Sequence, residues 1–507
     1  MTEPINGQVA RISAPALADL LGYWSACDGP LYRLLAARLS RLADTAELPA
    51  GLRLPPEREL ASALSVSRNT IAMAYQLLRD EGVADSRQGS GTRLVPHQTT
   101  PAAVHRANGF FARLLGSATV EADLTMASVD CAPQVAAALD DPGSVLSAAA
   151  RRAVINDSGY YPSGLPDLRA AIADLLAERY GLPSRAEEVI VTTGAQQALD
   201  LLVRCELVPG QPAIAEDPTF PGMLDILHRS GARPVSVPPG DADRLAHAIA
   251  THRPALAYLI PTYHNPVGLS MPLEARYQVV DLAKANPDVI VIDDTTMADV
   301  APIDGARPGR APLPPLSALA PGLPNLVTVG SFSKTYWGGL RTGWVRAPEG
   351  VIARLAAAKA AMDLGSTAYQ QAIVAALVAG SNEEILAWRA SWLRPRYAAM
   401  AAALAAHLPT WHWTRPEGGL TIWARLPDGT DGSAFAQAAL RRGVAVVPGR
   451  LLSATADAEA ARHVRLAFTQ PPEVLTRAIE GLSSWGAPLL VTWPDEPRTA
   501  APTAAIA

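Results

Sequence analysis

The chain has 507 residues, of which 49% are hydrophobic and 18% charged, and its net charge is −5. This composition excludes a globally disordered chain, because disorder requires low hydrophobicity together with high charge, and it confines any DNA-binding surface to a local basic patch. The 3 cysteines are far apart in the chain, which excludes a disulfide framework and a cysteine-based zinc site, so we expect no bound metal.

Patterning divides the chain into four parts. Residues 28–96 have the spacing of a compact helical domain, 97–120 form a linker, 121–486 alternate between strand and helix patterns, and the Pro/Ala/Thr-rich residues 487–507 form a flexible tail. The beginning of the chain lacks the pattern of a signal peptide, and no apolar run reaches the roughly 18 residues that a transmembrane helix needs. We therefore expect a cytoplasmic protein that makes no contact with a membrane.

The first domain opens with a helical stripe of apolar residues from Leu31 to Leu42. A second helix is predicted over residues 57–64, where two glutamates suit the positive end of the helix dipole. A third helix follows Ser67, a residue type that caps helix N-termini, and runs to about Glu81. Residues 83–94 then predict a β-hairpin with a glycine-rich tip.

The start of the third helix favours DNA recognition. Arg68, Asn69 and Thr70 lie in its first turn, where a helix-turn-helix presents donors and acceptors to base edges. A small helical bundle with a surface hairpin and no DNA contact fits the same spacing. Charges in this domain nearly balance, so the placement of its arginines matters more than their number. The arginines that flank the predicted helix and hairpin are Arg53, Arg58, Arg68, Arg87 and Arg93.

Three motifs of this domain resemble the winged-helix domain of GntR-type regulators. They are GLRLPPERELA at 51–61, VSRNTI at 66–71 and GSGT at 89–92. The resemblance implies an operator-binding domain whose wing tip is Gly89 and whose second DNA-contacting element is the start of the third helix. The complete set of expected DNA-binding residues is Arg53, Arg58, Ser67, Arg68, Asn69, Thr70, Gln88 and Gly89.

Four β-rich runs stand out in the third part of the chain, at 189–192, 255–260, 289–292 and 326–329. Because they are almost continuously apolar and alternate with helical stretches, they predict an α/β fold with a mostly parallel sheet and helices on both faces. Ligands of such sheets bind beyond the carboxyl ends of the strands. Polar residues lie at or just after each of the four ends, so we expect a site there.

Lys334 is the lysine best placed for chemistry. It lies among hydroxyl side chains in the run SFSKT, and Arg341 follows shortly after it. An amine beside hydroxyl and guanidinium donors suits a Schiff base to an aldehyde cofactor that carries a phosphate. The other two lysines, Lys284 and Lys359, lie in helix patterns, and we interpret them as ordinary solvated residues.

A pyridoxal ring needs several partners, and this part of the chain offers a candidate for each. A carboxylate must face the pyridinium nitrogen, a donor the phenolic oxygen, an aromatic ring one face, backbone amides the phosphate, and a guanidinium the carboxylate of an amino acid. The candidates, in that order, are Asp293 or Asp294, Asn265, Phe220, the 194–199 loop and Arg465. Each has an ordinary structural explanation by itself, but together they favour a cofactor site.

The order of these motifs over residues 121–486 resembles fold-type I aminotransferases. The resemblance implies pyridoxal 5′-phosphate as the cofactor, a smaller C-terminal α+β domain, and Arg465 as the receiver of an effector carboxylate. It favours Asp293 among the two aspartates, and it implies a homodimer in which Tyr160 reaches the phosphate of the partner's cofactor. The complete set of expected cofactor-binding residues is Lys334, Asp293, Asn265, Phe220, Ala195, Gln196, Ser331, Ser333, Arg341 and Tyr160.

A GntR-like domain ahead of an aminotransferase-like domain resembles the layout of MocR-type transcriptional regulators. This layout implies a DNA-binding regulator that senses an amino acid, an amine or the cofactor itself through Schiff-base exchange at Lys334, and whose main role is not catalysis. One departure is Thr295, where the family usually has a tyrosine near the phenolic oxygen, and it weakens the case for efficient transamination. The alternatives are an aminotransferase with an accessory DNA-binding domain and a plain interaction module.

Overall fold

The structure is a computed structural model that describes residues 11–22, 24–25, 30–44, 47–87, 91–95, 120–300, 313–455 and 458–483. The predicted tail, almost all of the predicted linker, and the expected DNA-binding residues Gln88 and Gly89 lie outside these residues. The described elements form an N-terminal domain within residues 14–95, called the reader domain below, followed by a large and a small domain.

Within its described residues the reader domain contains four helices and a hairpin. They are α1 (Ala14–Leu21), α2 (Leu31–Asp44), α3 (Glu57–Leu64), α4 (Arg68–Asp80), β1 (Ala84–Arg87) and β2 (Gly91–Leu94). The backbone N–H of Thr70 donates to Ser67 Oγ at 3.1 Å, which caps α4 as the sequence predicts. Leu17 and Leu21 of α1 are buried in the core that all four helices share. The domain therefore begins earlier than residue 28, because α1 completes this core.

The large domain is built on a sheet whose strands come after the short strand β3 in the sequence. The strands are β3 (Ala122–Asp123), β4 (Val189–Thr192), β5 (Pro212–Glu216), β6 (Arg233–Val237), β7 (Leu256–Leu259), β8 (Ile290–Asp294), β9 (Leu326–Ser331) and β10 (Gly343–Arg346). Strands β4 to β10 form a seven-stranded sheet in the order β4-β10-β9-β8-β7-β5-β6. Only β10 is antiparallel to its neighbours, so the prediction of a mostly parallel sheet is confirmed. The sequence pattern does not single out β5, β6 and β10.

Helices cover both faces of this sheet. They are α5 (Pro133–Asp140), α6 (Ala148–Asn156), α7 (Pro166–Tyr180), α8 (Ala195–Glu206), α9 (Pro221–Arg229), α10 (Ala242–His252), α11 (Leu273–Ala285), α12 (Leu316–Leu319) and α13 (Glu349–Asp363). Successive strand residues point to opposite faces: Ile292 packs in the core beside α8 and α9, and Val291 in the core beside α10 and α11. The last two residues of β8, both aspartates, therefore face opposite sides of the sheet.

A long helix, α14 (Ala368–His407), contributes to the cores of both the large and the small domain. The elements that follow it are β11 (His412–Trp413), β12 (Thr421–Arg425), α15 (Gly432–Leu440), β13 (Val444–Ala445), β14 (Val447–Pro448), β15 (His463–Ala467) and α16 (Pro472–Ser483). The small-domain sheet has the order β11-β12-β15-β14, and β13 pairs with β3. The reader domain touches this domain where α1 and α3 lie on α15. No helix of the described residues is long and apolar enough to cross a membrane.

Candidate functional site

The ends of three neighbouring strands form a polar cradle. Gly343 of β10 lies opposite the last residue of β4 and opposite Ser331 of β9, so the loops after β4 and β9 are adjacent. Helix α8 begins directly after Gly194, and its first backbone amides therefore point toward this cradle. Gly194 has a φ of 99°, and a Cβ atom there would lie 3.3 Å from Arg341 Nη2. A glycine at this position keeps the approach to the arginine open.

Hydroxyl and guanidinium donors surround the same cradle. The hydroxyl oxygens of Ser331 and Ser333 lie 3.0 Å apart, and the backbone N–H of Ser333 donates to Ser331 Oγ. Arg341 Nη2 is held by the carbonyl oxygen of Thr193 at 2.6 Å. Together with the amide of Ala195 at the start of α8, these groups provide the donors that a phosphate dianion requires.

A second wall of the pocket joins α8 to the loop before α9. Gln196 Nε2 donates to the carbonyl oxygen of Gly222 at 3.2 Å. A side chain at Gly222 would overlap both the Gln196 amide and the ring of Phe220, so the glycine lets the amide and the ring approach each other. Gln196 Oε1 and Thr219 Oγ1 are buried and have no hydrogen-bond partner within the described residues. Buried polar atoms need a partner, and a polar ligand would supply one.

Lys334 has the properties of a reactive amine. Its Nζ donates to the carbonyl oxygen of Ala127 at 2.7 Å. Burial and the positive charges of Arg465 and Arg341 lower the pKa of Lys334 to about 8, while Asp294 acts in the opposite direction. A lysine with this pKa is about one tenth neutral at pH 7, far more than an ordinary lysine, and the neutral amine is the form that attacks an aldehyde.

The two aspartates at the end of β8 have different surroundings. Asp293 Oδ2 accepts a hydrogen bond from the backbone N–H of Leu316 at 2.6 Å, and burial raises the pKa of Asp293 to about 6. Asp294 accepts from the Tyr258 hydroxyl at 2.7 Å, and it is the aspartate that interacts with Lys334. Burial also raises the pKa of Asp294. The structure thus favours Asp294 over the expected Asp293 as the pocket carboxylate, because β8 runs through both residues and their side chains alternate.

Arg465 and Asn265, which are far apart in the sequence, lie next to each other. Arg465 is buried on β15; its Nη1 donates to Asn265 Oδ1 at 3.4 Å and its Nη2 to the Thr125 carbonyl oxygen at 2.6 Å. The Ala127 carbonyl binds Lys334, so residues 125–127 connect the guanidinium to the amine. The sequence analysis does not single out this segment, because its contribution consists of backbone carbonyls.

The surroundings of three further residues bear on their expected roles, and one of these expectations is wrong. Tyr160 is 66% exposed and the described residues give it no contact with the pocket. Thr295 is buried, and its hydroxyl donates to the Val329 carbonyl at 2.8 Å. Lys359 is fully buried and forms an ion pair with Asp363 at 2.7 Å, so its interpretation as a solvated lysine is wrong. The ion pair occupies its ammonium group, which leaves Lys334 as the candidate nucleophile.

Arg389 of α14 binds the backbone of the loop that carries Lys334, called the lysine loop below. The sequence analysis does not identify this residue. It is fully buried, and it donates to the carbonyl oxygens of Thr335 at 2.9 Å, Tyr336 at 3.1 Å and Asp130 at 2.6 Å. Two tryptophan rings of the same helix lie within 4.8 Å of its guanidinium carbon. Burial lowers the pKa of Arg389 to about 10. The aromatic and basic run AWRASWLRPR is the one sequence signal that could have indicated this role.

The start of α4 presents its polar residues to solvent. Arg68 and Asn69 are exposed, and Arg68 Nε donates to Glu57 Oε2 at 2.9 Å. The hydroxyl of Ser67 caps the helix and lies 2.9 Å from Thr70 Oγ1. This exposed first turn, with one guanidinium, one amide and two hydroxyls, can donate to and accept from nucleic-acid groups.

The two other expected DNA-binding arginines have different environments. Arg58 is exposed on α3. Arg53 is partly buried, its backbone bridges to Arg93 of β2, and its guanidinium lies close to Gly91 at the base of the hairpin. Arg53 therefore supports the wing, whereas Arg58 lies at the surface of the helix that precedes the turn.

Comparisons with known proteins agree with this architecture. The family model described as aminotransferase class I and II matches residues 130–482, and the model described as bacterial regulatory proteins, gntR family, matches residues 31–94. The chain therefore belongs to the class I and II aminotransferase family and carries a GntR-type DNA-binding domain ahead of the matched region. The cofactor of this fold is pyridoxal 5′-phosphate.

Some relatives match nearly the whole chain, and others match a smaller share of it. The uncharacterized HTH-type transcriptional regulator YisV of Bacillus subtilis is 28% identical over 87% of this chain and 93% of its own length. The pyridoxine biosynthesis regulator PdxR of Corynebacterium glutamicum is 31% identical over 62% of this chain and 65% of its own length. LysN of Thermus thermophilus, an α-aminoadipate aminotransferase solved with N-(5′-phosphopyridoxyl)-L-leucine, aligns with a TM-score of 0.63 at 29% identity, covering 74% of this chain and 93% of that one. The chain thus joins a GntR-type DNA-binding domain to a pyridoxal-phosphate-binding, aminotransferase-like domain, and it is similar to regulators named MocR and PdxR.

The pocket fits this cofactor. The helix start after Gly194 and the guanidinium of Arg341 suit its phosphate, and Phe220 suits one face of its ring. Asp294 lies on the side of Lys334, whose amine has a lowered pKa. The buried polar atoms without partners at the Phe220 wall are a further sign that a polar ligand belongs there.

Proposed function

We propose that the protein regulates transcription in response to an amino acid, an amine or pyridoxal phosphate itself, bound at Lys334. The observation that carries this proposal is the presence, in one chain, of the recognition helix α4, whose first turn exposes Arg68 and Asn69, and of Lys334, whose pKa is lowered to about 8. Because the partner that it must reach is bacterial DNA, we place its action in the cytoplasm.

Each pocket residue has a task toward the cofactor. When bound, pyridoxal phosphate supplies an aldehyde carbon that exchanges amines and a ring that withdraws electrons. Lys334 would supply the amine that holds the cofactor, and the Ala127 carbonyl accepts a hydrogen bond from that amine and orients it. Asp294, fixed by the Tyr258 hydroxyl, would be the carboxylate that pairs with the pyridinium nitrogen and favours its protonated form. Asn265 is positioned by Arg465 to donate toward the phenolic oxygen.

Phosphate and ring contacts complete this assignment. The guanidinium of Arg341 and the first amides of α8, at Ala195 and Gln196, would bind the phosphate, helped by the hydroxyls of Ser331 and Ser333. Phe220 would cover one face of the ring.

Arg465 defines the class of effector. Its buried guanidinium lies beside Asn265 and on the same side as Lys334, so a ligand whose amino group reaches the lysine can place a carboxylate on the arginine. An α-amino acid and the amine that it yields on decarboxylation form a matched pair of probes. We expect Arg465→Ala to weaken the response to the amino acid by about 10- to 100-fold, the range expected for a charged hydrogen bond, and to leave the response to the amine nearly unchanged. An equal loss for both probes contradicts the assignment.

A second copy of the chain would complete the site. The helix α6 buries none of its residues, and Ile155 on it is 68% exposed, as is 66% of Tyr160 nearby in the sequence. Exposed apolar surface of this kind favours a protein interface. A homodimer would bring Tyr160 to the partner's cofactor phosphate and would present two recognition helices to two DNA half-sites. We expect Ile155→Asp to shift the molar mass measured by light scattering from that of a dimer to that of a monomer; an unchanged mass refutes this interface.

The central experiment combines covalent trapping with DNA binding. Purified protein is saturated with pyridoxal phosphate, reduced with borohydride and analysed by peptide mass spectrometry. We expect a pyridoxyl group on Lys334, its absence in Lys334→Ala, and its retention in the exposed-lysine control Lys284→Ala. Binding to DNA from the region upstream of the protein's own gene is then measured with and without cofactor and a panel of amino acids. No adduct on Lys334, or DNA affinity that no ligand changes, overturns the proposal.

A working aminotransferase is the second candidate, because every group assigned to cofactor binding is also one that transamination needs. Thr295, at the position where the family usually has a tyrosine, uses its hydroxyl to bind the Val329 carbonyl. It therefore offers no phenol to the cofactor oxygen. Turnover of amino-acid and keto-acid pairs, followed by cofactor absorbance, separates the two candidates.

A further inference from the structure

Helix α15 of the small domain carries a set of buried polar contacts to the reader domain. Ser433 Oγ donates to Asp19 Oδ1 of α1 at 2.7 Å, and both residues are buried. Gln437 Nε2 donates to the carbonyl oxygens of Ala18 at 3.2 Å and Gly22 at 3.1 Å, at the end of the same helix. These contacts satisfy carbonyls that the end of α1 would otherwise leave without partners, so α15 completes the surface of the reader domain.

Arg441, directly after α15, binds the turn of the helix-turn-helix itself. Its Nη1 donates to the carbonyl oxygen of Leu64 at 2.7 Å and its Nη2 to that of Ser65 at 2.8 Å. Ser65 has a φ of 52°, in the left-handed region, and its hydroxyl donates back to the Ala434 carbonyl at 3.2 Å. A cation at the C-terminal end of α3 is favoured by the helix dipole. Burial lowers the pKa of Arg441 to about 10, far above neutrality, so the guanidinium stays charged.

The contact does not cover the DNA-reading surface. Arg68 and Asn69, at the start of α4, remain exposed while the turn before them is bound. The small domain therefore contacts the reader domain at the turn before α4 and leaves the DNA-reading start of α4 accessible.

Hydrogen bonds also connect α15 to the cofactor pocket. Asp431 caps α15 by accepting from the backbone N–H of Ser433 at 2.9 Å, and its other oxygen faces Arg450 at 3.4 Å. Arg450 belongs to the turn Gly449–Leu452. The carbonyl oxygen of Leu452 accepts from the backbone N–H of Thr219 at 2.8 Å, immediately before the ring-stacking Phe220. The cap of α15 and the wall of the pocket are thus joined through one short turn.

Asp217 strengthens this junction. Its Oδ2 accepts from the hydroxyls of Ser236 and Ser453 at 3.0 Å each, and from the hydroxyl of Thr455 and the backbone N–H of Ala454 at 3.1 Å each. One carboxylate therefore binds the small-domain loop to the end of β5. Because Asp217 and Phe220 belong to the same loop, these hydrogen bonds connect the Phe220 wall to the small domain.

We propose that α15 and Arg441 form an interaction surface for the reader domain, through which occupancy of the cofactor pocket sets the orientation of α4. The proposal rests on the function proposed above, because it names how the pocket regulates DNA reading. Arg441 is a positioning residue: it acts on α4 through the turn and touches neither DNA nor cofactor. Continuous contacts alone do not show that the pocket and the reader domain are coupled. The test is therefore whether breaking the Arg441 contact removes the effect of the cofactor on the reader domain.

The test uses the full-length protein without and with pyridoxal phosphate, followed by amide hydrogen exchange in residues 14–22 and 57–66. We expect cofactor loading to change exchange in these segments by about threefold or more in the wild type, because the pocket and the turn share one hydrogen-bonded route. Arg441→Ala removes two charged hydrogen bonds. It is expected to raise exchange around Leu64 and Ser65 about tenfold and to abolish the effect of the cofactor. Arg441→Lys, which can keep one bond, is expected to restore part of that effect.

Controls separate this surface from the cofactor site. Arg425→Ala alters a small-domain arginine whose partners, Asp428 and Glu459, lie in the same domain, and it should behave as the wild type. The borohydride adduct on Lys334 should form equally in all variants. Adduct formation without any cofactor effect on exchange in the wild type, or with an effect that survives Arg441→Ala, overturns this inference and leaves cofactor binding standing. Absence of the adduct from the wild type overturns both.

Discussion

The cofactor pocket and the DNA-reading surface are built in opposite ways. In the pocket, charged groups such as Arg465 and Asp294 are buried, and neighbouring backbone and side-chain atoms hold them in place. On the reader domain, Arg68 and Asn69 stand in solvent, and their position depends on the start of α4. A substitution in the pocket therefore removes a support as well as a ligand group, whereas a substitution on α4 mainly removes a contact.

This contrast has an energetic basis. Burying a charge is costly, so a buried charged group persists only where hydrogen bonds compensate, and loss of one partner leaves the other unsatisfied. Exposed groups are solvated with or without a ligand, so their removal has little effect on folding. Stability and binding should consequently respond together in the pocket and separately on the reader domain.

The largest effect is expected at Arg389. Its replacement by Met keeps much of the side-chain volume between the two tryptophans and leaves the carbonyls of Thr335, Tyr336 and Asp130 without their buried donor. We expect the free energy of unfolding to fall by about 3–5 kcal/mol, measured by urea denaturation. Arg394→Met, at an exposed position of the same helix, should change it by less than about 0.5 kcal/mol. Similar values for both variants would remove Arg389 from the supports of the lysine loop.

A second prediction separates the two aspartates. Asp294→Asn removes the charge on the lysine side of β8, and we expect affinity for pyridoxal phosphate to fall about 10- to 100-fold, the range for one charged hydrogen bond. Asp293→Asn changes the opposite face, where the carboxylate binds the Leu316 amide, and it should alter stability more than affinity. Fluorescence titration of the two variants decides between them. A larger loss of affinity in Asp293→Asn would restore the expectation from the sequence.

The same pair shows where prediction from sequence stops. The four apolar runs are sufficient to predict the sheet, and the order of the motifs predicts a shared site for Lys334, Arg341 and Asn265 beyond its strand ends. Arg465 comes from β15 of the small-domain sheet. Which of two adjacent aspartates faces the pocket depends on where β8 ends, and β8 continues to Asp294. Side chains alternate between the two faces only within a strand, and strand ends are the least defined part of a sequence pattern.

Backbone and interdomain contacts are the other limit. The carbonyls of Thr125 and Ala127 line the pocket without any side-chain signal. Helix α1 completes the reader core although it precedes the domain that the helical pattern predicts. The hydrogen bonds from Arg441 to the turn after α3 join residues that are far apart in the chain. A local sequence pattern cannot predict such a contact.

On the reader domain, Arg68 offers the sharpest test of the exposed half of the comparison. Arg68→Ala should weaken operator binding by about 1–3 kcal/mol if the guanidinium reads a base edge. It should leave thermal stability nearly unchanged, because the ion pair with Glu57 is exposed and contributes little. Fluorescence anisotropy on labelled DNA measures the first quantity and calorimetry the second. Equal DNA affinity would take Arg68 out of the contact set.

The pKa of Lys334 predicts that the rate at which it forms the adduct rises about tenfold with pH. With the pKa of Lys334 lowered to about 8, the neutral amine fraction rises about tenfold between pH 7 and pH 9 and then levels off. A lysine at its ordinary pKa of about 10.4 would continue to gain neutral fraction throughout that range and beyond. The rate of adduct formation by the apoprotein, corrected for the pH dependence of the aldehyde itself, should therefore reach a plateau above pH 9. A rate that keeps rising shows that burial and the neighbouring arginines do not shift this group.

The smallest effect is expected at Ser67, where helix stability and DNA binding are both expected to depend on one side chain. Its hydroxyl satisfies the backbone N–H of Thr70 at the start of α4, so Ser67→Ala should cost about 1 kcal/mol of stability. Because the cap also fixes the turn from which Arg68 projects, DNA affinity should fall with it, although the serine itself is exposed. Ser67→Asn, which keeps a capping oxygen without adding a charge, should restore stability. If both variants lose DNA affinity and only the alanine variant loses stability, Ser67 acts as cap and contact at once; if affinity follows stability alone, its role is confined to the helix start.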